Sequence, residues 1–160
     1  MKIKDNEDLI ITEVEDEGFV AAGRTINFPA PESTTIIALP PRLAELAKKG
    51  LIKTLTIYGN SLEGVGIYDG DKVVCKKAFS KKEVTKHSIC IVYIPATGEI
   101  VAKRVRFVDD WLILKSCNDD VPDIKTKPDD VDIRGIVIAL HRGPDKYGRF
   151  DRGYEPEFPF

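Results

Sequence analysis

The chain predicts a mainly β domain of short, mostly antiparallel strands, with one short helix and a flexible N-terminal arm. Three observations point there. From Leu51 onward the pattern is mostly strand-like, in short apolar β-type segments separated by turn residues, as in "HSICIVYIP", "EIVAKRVRFV" and "IRGIVIALHR". Only "PPRLAELAKKG" carries a helical pattern. Residues 1–34 mix acids, small residues and prolines without a sustained period.

Taken in order, residues 1–17 are acid-rich around an apolar patch at Leu9–Ile11, and residues 18–34 read as an extended arm or linker. Within it, Phe28-Pro29-Ala30-Pro31 is barred from helix, because each proline disfavours helix at the residue before it. "TTIIAL" is a short strand. In the helix that follows, Pro41 suits the first turn, Leu43, Leu46 and Ala47 share a face, and Gly50 stops it. "LIKTLTIY" and "DKVVCKKAF" are strands, the second running into a basic stretch. "HSICIVYIP" and "EIVAKRVRFV" flank the turn "ATG"; "DDWLILKS" begins with another turn; "NDDVPDIKTKPDDVD" is an acidic loop; "IRGIVIALHR" is a buried closing strand. Roughly seven or eight strands result. The expected organisation is an arm over 1–34, a domain over 35–143 and a loose aromatic tail over 144–160.

The bulk numbers narrow the function classes. With 160 residues, 42% hydrophobic and 31% charged, the chain suits one globular domain. A net charge of −2 gives no overall electrostatic footprint for nucleic acid, so direct sequence-specific DNA binding is not expected. No apolar run reaches the roughly 18 residues of a membrane span. The opening "MKIKDNEDLIITEVEDEG" has no secretory apolar region, and Cys75, Cys90 and Cys117 are scattered and unpaired by spacing. A reducing cytoplasm is the expected setting, and no metal or other cofactor is expected.

The informative stretch is "IYGNSLEGVGIYDGDKVV", where a β run breaks around Ser61 and resumes after three glycines. A plain hairpin needs only a two-residue turn. A phosphate cradle is excluded by Glu63, Asp69 and Asp71, and a calcium loop by the spacing. His87 and His141 read as ordinary surface or strand-end residues, which leaves a Ser-His-Asp triad without its base. A serine can instead be activated by a lysine made neutral through burial. Most lysines sit in charged runs. Lys103 does not: Val101, Lys103 and Val105 share one strand face, while Ala102, Arg104 and Arg106 share the other, where Arg104 is expected in solvent. The alternative is a lysine whose stem packs while its head reaches solvent.

These segments resemble the LexA repressor and UmuD family of self-cleaving serine-lysine peptidases. Gly59, Ser61, Gly66, Ile67, Asp69, Gly70 and Asp71 match its nucleophile motif, with Leu62 standing where methionine is usual. "EIVAKRV" is similar to its second motif and maps the general base to Lys103. "LILKSCNDDVPDI", with Asn118 and Pro122, and "DIRGIVIALHR" are similar to its later strands. The resemblance covers residues 51–142 and implies the LexA/UmuD C-terminal-type fold. It implies a substrate carried in the same chain, the Ala22–Gly23 bond of "FVAAGRTINF". Ser61 would attack the Ala22 carbonyl, with backbone N–H groups of Asn60 and Ser61 as oxyanion hole. Asp69-Gly70-Asp71 reads as a structural turn. The resemblance further implies a homodimer, a RecA filament on single-stranded DNA as activator, and a DNA-damage (SOS) role serving an error-prone DNA polymerase or a repressor partner. With no DNA-binding domain ahead of the arm, a stand-alone UmuD-like protein is expected. Two other readings are a non-catalytic dimerisation module of the same fold and a signal-peptidase-like enzyme acting on other chains.

Overall fold

A computed structural model of the chain describes residues 8–22 and 33–142. Where the sequence carries short β-type runs, strands form: β2 (Ser33–Leu39), β3 (Ile52–Gly59), β4 (Lys72–Lys76), β5 (Ile89–Ile94), β6 (Glu99–Val108), β7 (Trp111–Lys115) and β9 (Asp132–His141). The single α-helix among the described residues is α1 (Pro41–Lys48). Pro41 lies in its first turn, and the N–H groups of Gly50 and Leu51 close its end on the carbonyls of Ala47 and Leu46. The fold class is as expected: mainly β with one short helix.

Two strands lie where none was anticipated. Ile124–Thr126 inside the acidic loop forms the short strand β8 against β7. Ile10–Ala22, within the expected arm, forms β1, the longest strand described. Its acids and small residues read as part of a flexible arm. In the fold, three consecutive acids each meet a lysine from the neighbouring strands: Glu15 pairs Lys77, Asp16 pairs Lys72 at 2.7 Å, and Glu17 pairs Lys53 at 3.1 Å. Gly23, the proline-rich segment after it and the expected tail lie outside the described residues.

The strands form one sheet in the order β2-β1-β3-β4-β9-β5-β6-β7-β8. Most pairings are antiparallel; β1 runs parallel to β3 and touches β6 in parallel at Ala21–Val101. That contact closes β1, β3, β4, β9, β5 and β6 into a ring. β1 changes partner along its length. Residues 10–16 pair with β2, a bulge follows near Gly18, and residues 19–22 run beside β3.

Inside the ring, Leu55, Ile57, Leu62, Ile67, Ile91 and Ala102 belong to one buried cluster. A second cluster seats Leu43 and Ala44 of α1 on Val14, Ile37 and Ile52. A third joins Cys90, Val101, Val105, Leu112 and Leu114 around β6 and β7. Val101 and Ala102 are both buried, so β6 is covered on both faces where Lys103 follows. No described helix is long and apolar enough to cross a membrane.

Candidate active site

β3 and β4 pair from Ile52–Lys76 to Thr56–Lys72, so residues 60–71 are the connection of an antiparallel hairpin. The chain leaves β3 through Gly59 at φ +106°, a conformation that side-chain-bearing residues avoid. Leu62 then plunges into the core with no exposed surface, and a short 3-10 turn follows over Glu63–Val65. Leucine in place of methionine keeps this apolar anchor.

The acids of the loop serve as struts. The Gly59 N–H donates to Asp69 Oδ1 at 2.8 Å, and the Tyr68 N–H to Asp71 Oδ2 at 2.8 Å. The Arg142 guanidinium grips both oxygens of Asp71 and donates to the Gly66 carbonyl at 2.9 Å. Charge-assisted bonds of this kind are the strong ones, so the loop is held at both ends. The structural-turn reading of Asp69-Gly70-Asp71 fits these bonds.

The segment after β7 supplies a second grip, which the sequence reading missed. The Cys117 N–H and the Ser116 Oγ–H both donate to the Ser61 carbonyl, at 2.6 and 3.2 Å. Asn118 Nδ2 donates to the Asn60 carbonyl at 3.2 Å, as does the Glu63 N–H at 3.2 Å. Gly64 N–H donates back to the Cys117 carbonyl at 3.0 Å. The Asn60–Ser61 peptide is thereby pinned through its carbonyl. Because the peptide is planar and trans, the Ser61 N–H is fixed pointing the other way. Asn118 carried a sequence signal through the family motif. Ser116 and Cys117 carried none, since nothing local links them to residues 60–64.

Ser61 is fully buried, and its Oγ has no hydrogen-bond partner. Lys103 is 3% exposed on β6. Burial lowers its pKa below the ordinary 10.5, against the opposing pull of Asp123, Cys117 and Glu99. The apolar face expected for Val101, Lys103 and Val105 is present. Arg104 departs from the expectation of a solvated residue: it is half-buried, and its Nε is covered without a partner. Cys117 stands beside the serine turn, but burial raises its thiol pKa, and Cys90 is pushed up to about 12 by burial as well. Both are thereby kept from acting as thiolate nucleophiles.

The end of β1 lies against β3, which leads to Ser61, and against β6, which carries Lys103. Ala22 stands in register with Gly59, ahead of Asn60 and Ser61. Ala21 pairs with Tyr58 on β3 and with Val101 on β6, just ahead of Lys103. β3, which leads to Ser61, and β6, which carries Lys103, are separated in the sheet order by β4, β9 and β5, yet the end of β1 touches both. Ser61 Oγ makes no hydrogen bond to Lys103 Nζ in this arrangement.

Comparison with known proteins adds a separate line. A family described as Peptidase S24-like matches residues 6–138. Among curated relatives, a LexA repressor of Syntrophotalea carbinolica is 30% identical over 126 residues, 78% of this chain and 57% of its own length. A LexA repressor of Leuconostoc mesenteroides is 31% identical over 126 residues, 78% of this chain and 55% of its own. A LexA repressor of Pelagibacter ubique is 26% identical over 138 residues, 86% and 58% of the two chains. The chain thus spans little more than half the length of the curated relatives it matches.

Proposed function

This chain belongs to the Peptidase S24-like family, and on that premise we propose that it is a self-cleaving serine peptidase cutting its own Ala22–Gly23 bond. Ser61 Oγ attacks the Ala22 carbonyl carbon while Lys103 Nζ, neutral, takes the hydroxyl proton. The tetrahedral oxyanion accepts hydrogen bonds from the N–H groups of Ser61 and Asn60. Its collapse breaks the C–N bond, and Lys103 passes the proton to the departing amine of Gly23. Water then hydrolyses the acyl-serine by the same base.

The observation that carries this reading is the seating of the β1 end between the strand leading to Ser61 and the strand bearing Lys103. A peptide added as a strand is held by its main chain, whatever its side chains. Three features add support. Ser61 Oγ is buried and uncommitted, so an attack costs no existing bond. The lysine pKa is lowered, as a base requires. The Ser61 N–H is pre-oriented by the bonds on the Asn60 carbonyl. The lack of a hydrogen bond on Ser61 Oγ fits a resting site, since catalytic hydrogen bonds often tighten only in the reacting complex.

The cellular part of the proposal comes from the resemblance and not from the site geometry. The protein acts in the cytoplasm as a homodimer in the DNA-damage (SOS) response. A RecA filament on single-stranded DNA shifts its arm toward the cleavable position. The cleaved form serves an error-prone DNA polymerase or a repressor partner, in the manner of stand-alone UmuD.

Intact-mass spectrometry of the protein held at about pH 10 tests the chemistry, because alkali deprotonates the lysine without an activator. The expected product begins at Gly23 and is missing from Ser61→Ala and from Gly23→Glu. The same product from Ser61→Ala would remove the serine. No product at alkaline pH, nor with RecA, nucleotide and single-stranded DNA, would leave the fold as a non-catalytic module.

A further inference from the structure

A concave site lies on the face of β6 opposite Lys103. A cleft of about 540 Å³ is lined by Lys86, His87, Arg104, Arg106, Lys115 and Ser116. In a chain of net charge −2, four cations converge on it. Among the described residues none of the four has an ion-pair partner, although seven other cationic side chains do.

The arrangement works against folding stability. Arg104 on β6 stands directly opposite Lys115 on β7 in the antiparallel register. Like charges in that position repel. Arg106 follows on the same face two residues along. Arg104 is also half-buried, with Nε covered and unpartnered. A buried donor without an acceptor is costly. An anion whose oxygens accept from Arg104 and lie between it and Lys115 relieves both penalties.

The donor set indicates which anion. Arg104, Arg106, Lys86 and Lys115 offer only donors. Ser116 is not a free one, because its hydroxyl already donates to the Ser61 carbonyl. It marks the wall that the cleft shares with the serine turn. Among the described residues, the carboxylate tied to this wall is Asp123, which accepts from the Ser116 N–H at 3.2 Å. A carboxylate ligand brings one charge and two oxygens, enough for a single arginine. A phosphate group brings more charge and three acceptor oxygens. The cleft is larger than one phosphate and falls within the usual span of small-molecule sites. We propose that this cleft binds a phosphate-bearing ligand of nucleotide size, held by Arg104, Arg106, Lys86 and Lys115. The phosphate comes either from a free nucleotide or from a single-stranded nucleic-acid backbone. This site is independent of the cleavage chemistry.

The test uses the full chain in phosphate-free buffer with two probes. Pyrophosphate is followed by calorimetry, and a labelled thymidylate oligonucleotide by anisotropy. Arg106→Gln, an exposed change that leaves the fold alone, is expected to weaken binding about fivefold. The pair Arg104→Gln/Lys115→Gln is expected to weaken it about tenfold or more. The pair Lys48→Gln/Lys49→Gln at the end of α1 removes equal charge elsewhere and is expected to change nothing. Binding of pyrophosphate alone assigns the site to free phosphates; binding of the oligonucleotide, competed by pyrophosphate, assigns it to a nucleic-acid backbone. The proposal is overturned if neither probe binds below about 1 mM. It is equally overturned if the α1 control loses as much as the cleft variants, or if polyglutamate binds the cleft in place of both phosphate probes.

Discussion

Ala21 of β1 is paired with Val101 of β6 while its other side runs beside Tyr58 of β3. One residue at the end of a strand therefore joins the strand ahead of Ser61 to the strand ahead of Lys103. The same contact closes the six-stranded ring. The substrate segment in the proposed reaction is thus part of the sheet, and its docking is a matter of backbone register.

Because β1 of the same chain occupies this position, cleavage is expected to be intramolecular. The rate constant at alkaline pH should stay the same over a wide range of protein concentration. A half-life that shortens as protein is added would mean that one chain cuts another.

Ser61→Ala should abolish cleavage at almost no cost in stability. The hydroxyl oxygen is buried and makes no hydrogen bond, so its removal breaks none and relieves an unsatisfied group. Thermal unfolding of the variant should match or slightly exceed that of the unaltered chain. A drop of more than about 1 kcal/mol would reveal a structural role for the hydroxyl.

Lys103 links activity to pH. Burial lowers its folded-state pKa beneath the ordinary 10.5. Between the folded and unfolded values the unfolded chain binds more protons, so stability rises with pH across that window. Cleavage should rise as the pH passes through the lowered value, since only the neutral amine accepts a proton. Lys103→Met should be inactive yet more stable than the unaltered chain at neutral pH. That gap should close as the pH climbs toward 10.5. Denaturant melts across the pH range read the gap directly; a gap that widened with pH would reverse the sign assigned to this lysine.

The acid run of β1 is held electrostatically. Lys53 is almost fully buried, and its partner Glu17 keeps a 30% exposed side chain. Glu17→Gln strands a buried ammonium and should cost about 2 kcal/mol, less than the roughly 3–5 of a fully buried pair because the carboxylate is partly wet. Adding Lys53→Met should recover much of that loss. If β1 must dock to be cut, Glu17→Gln should also slow cleavage. Equal rates in the two proteins, measured well below their melting points, would show that this clamp does not limit docking.

Gly64 is required for close approach. A Cβ there would meet the Cys117 carbonyl oxygen at 2.0 Å, a backbone atom that cannot swing aside. Gly64→Ala should therefore push apart the serine turn and the segment after β7, costing about 3 kcal/mol or more. Cleavage should fall with it, since the Ser61 carbonyl is held by that same segment. A stable, fully active Gly64→Ala protein would show the two segments to be loosely joined.

Much was legible from the sequence because local rules sufficed. Short apolar β-type runs bounded by turn residues set β5, β6 and β7, and proline and glycine bounded α1. The break around Ser61 marked a long hairpin connection. Lys103 stood out on an apolar face by period alone. These features depend on neighbours within a few residues, where side-chain direction follows directly from strand geometry.

What stayed hidden depends on partners far along the chain. Glu15, Asp16 and Glu17 read as part of a flexible arm because their lysines arrive from β3, from β4 and from just past β4. The grip of Ser116 and Cys117 on Ser61 joins segments with no shared local pattern. Arg104 was expected in solvent, and only the packing of β6 beside β7 sets it against Lys115 with its Nε covered. By itself the sequence determined the mainly β class, the hairpin holding the serine and the buried-face lysine, because each is written in short-range periodicity. Only the tertiary structure decided that β1 joins the sheet and reaches both candidate strands. That placement arises from long-range charge pairing and strand register, for which a linear pattern holds no coordinate.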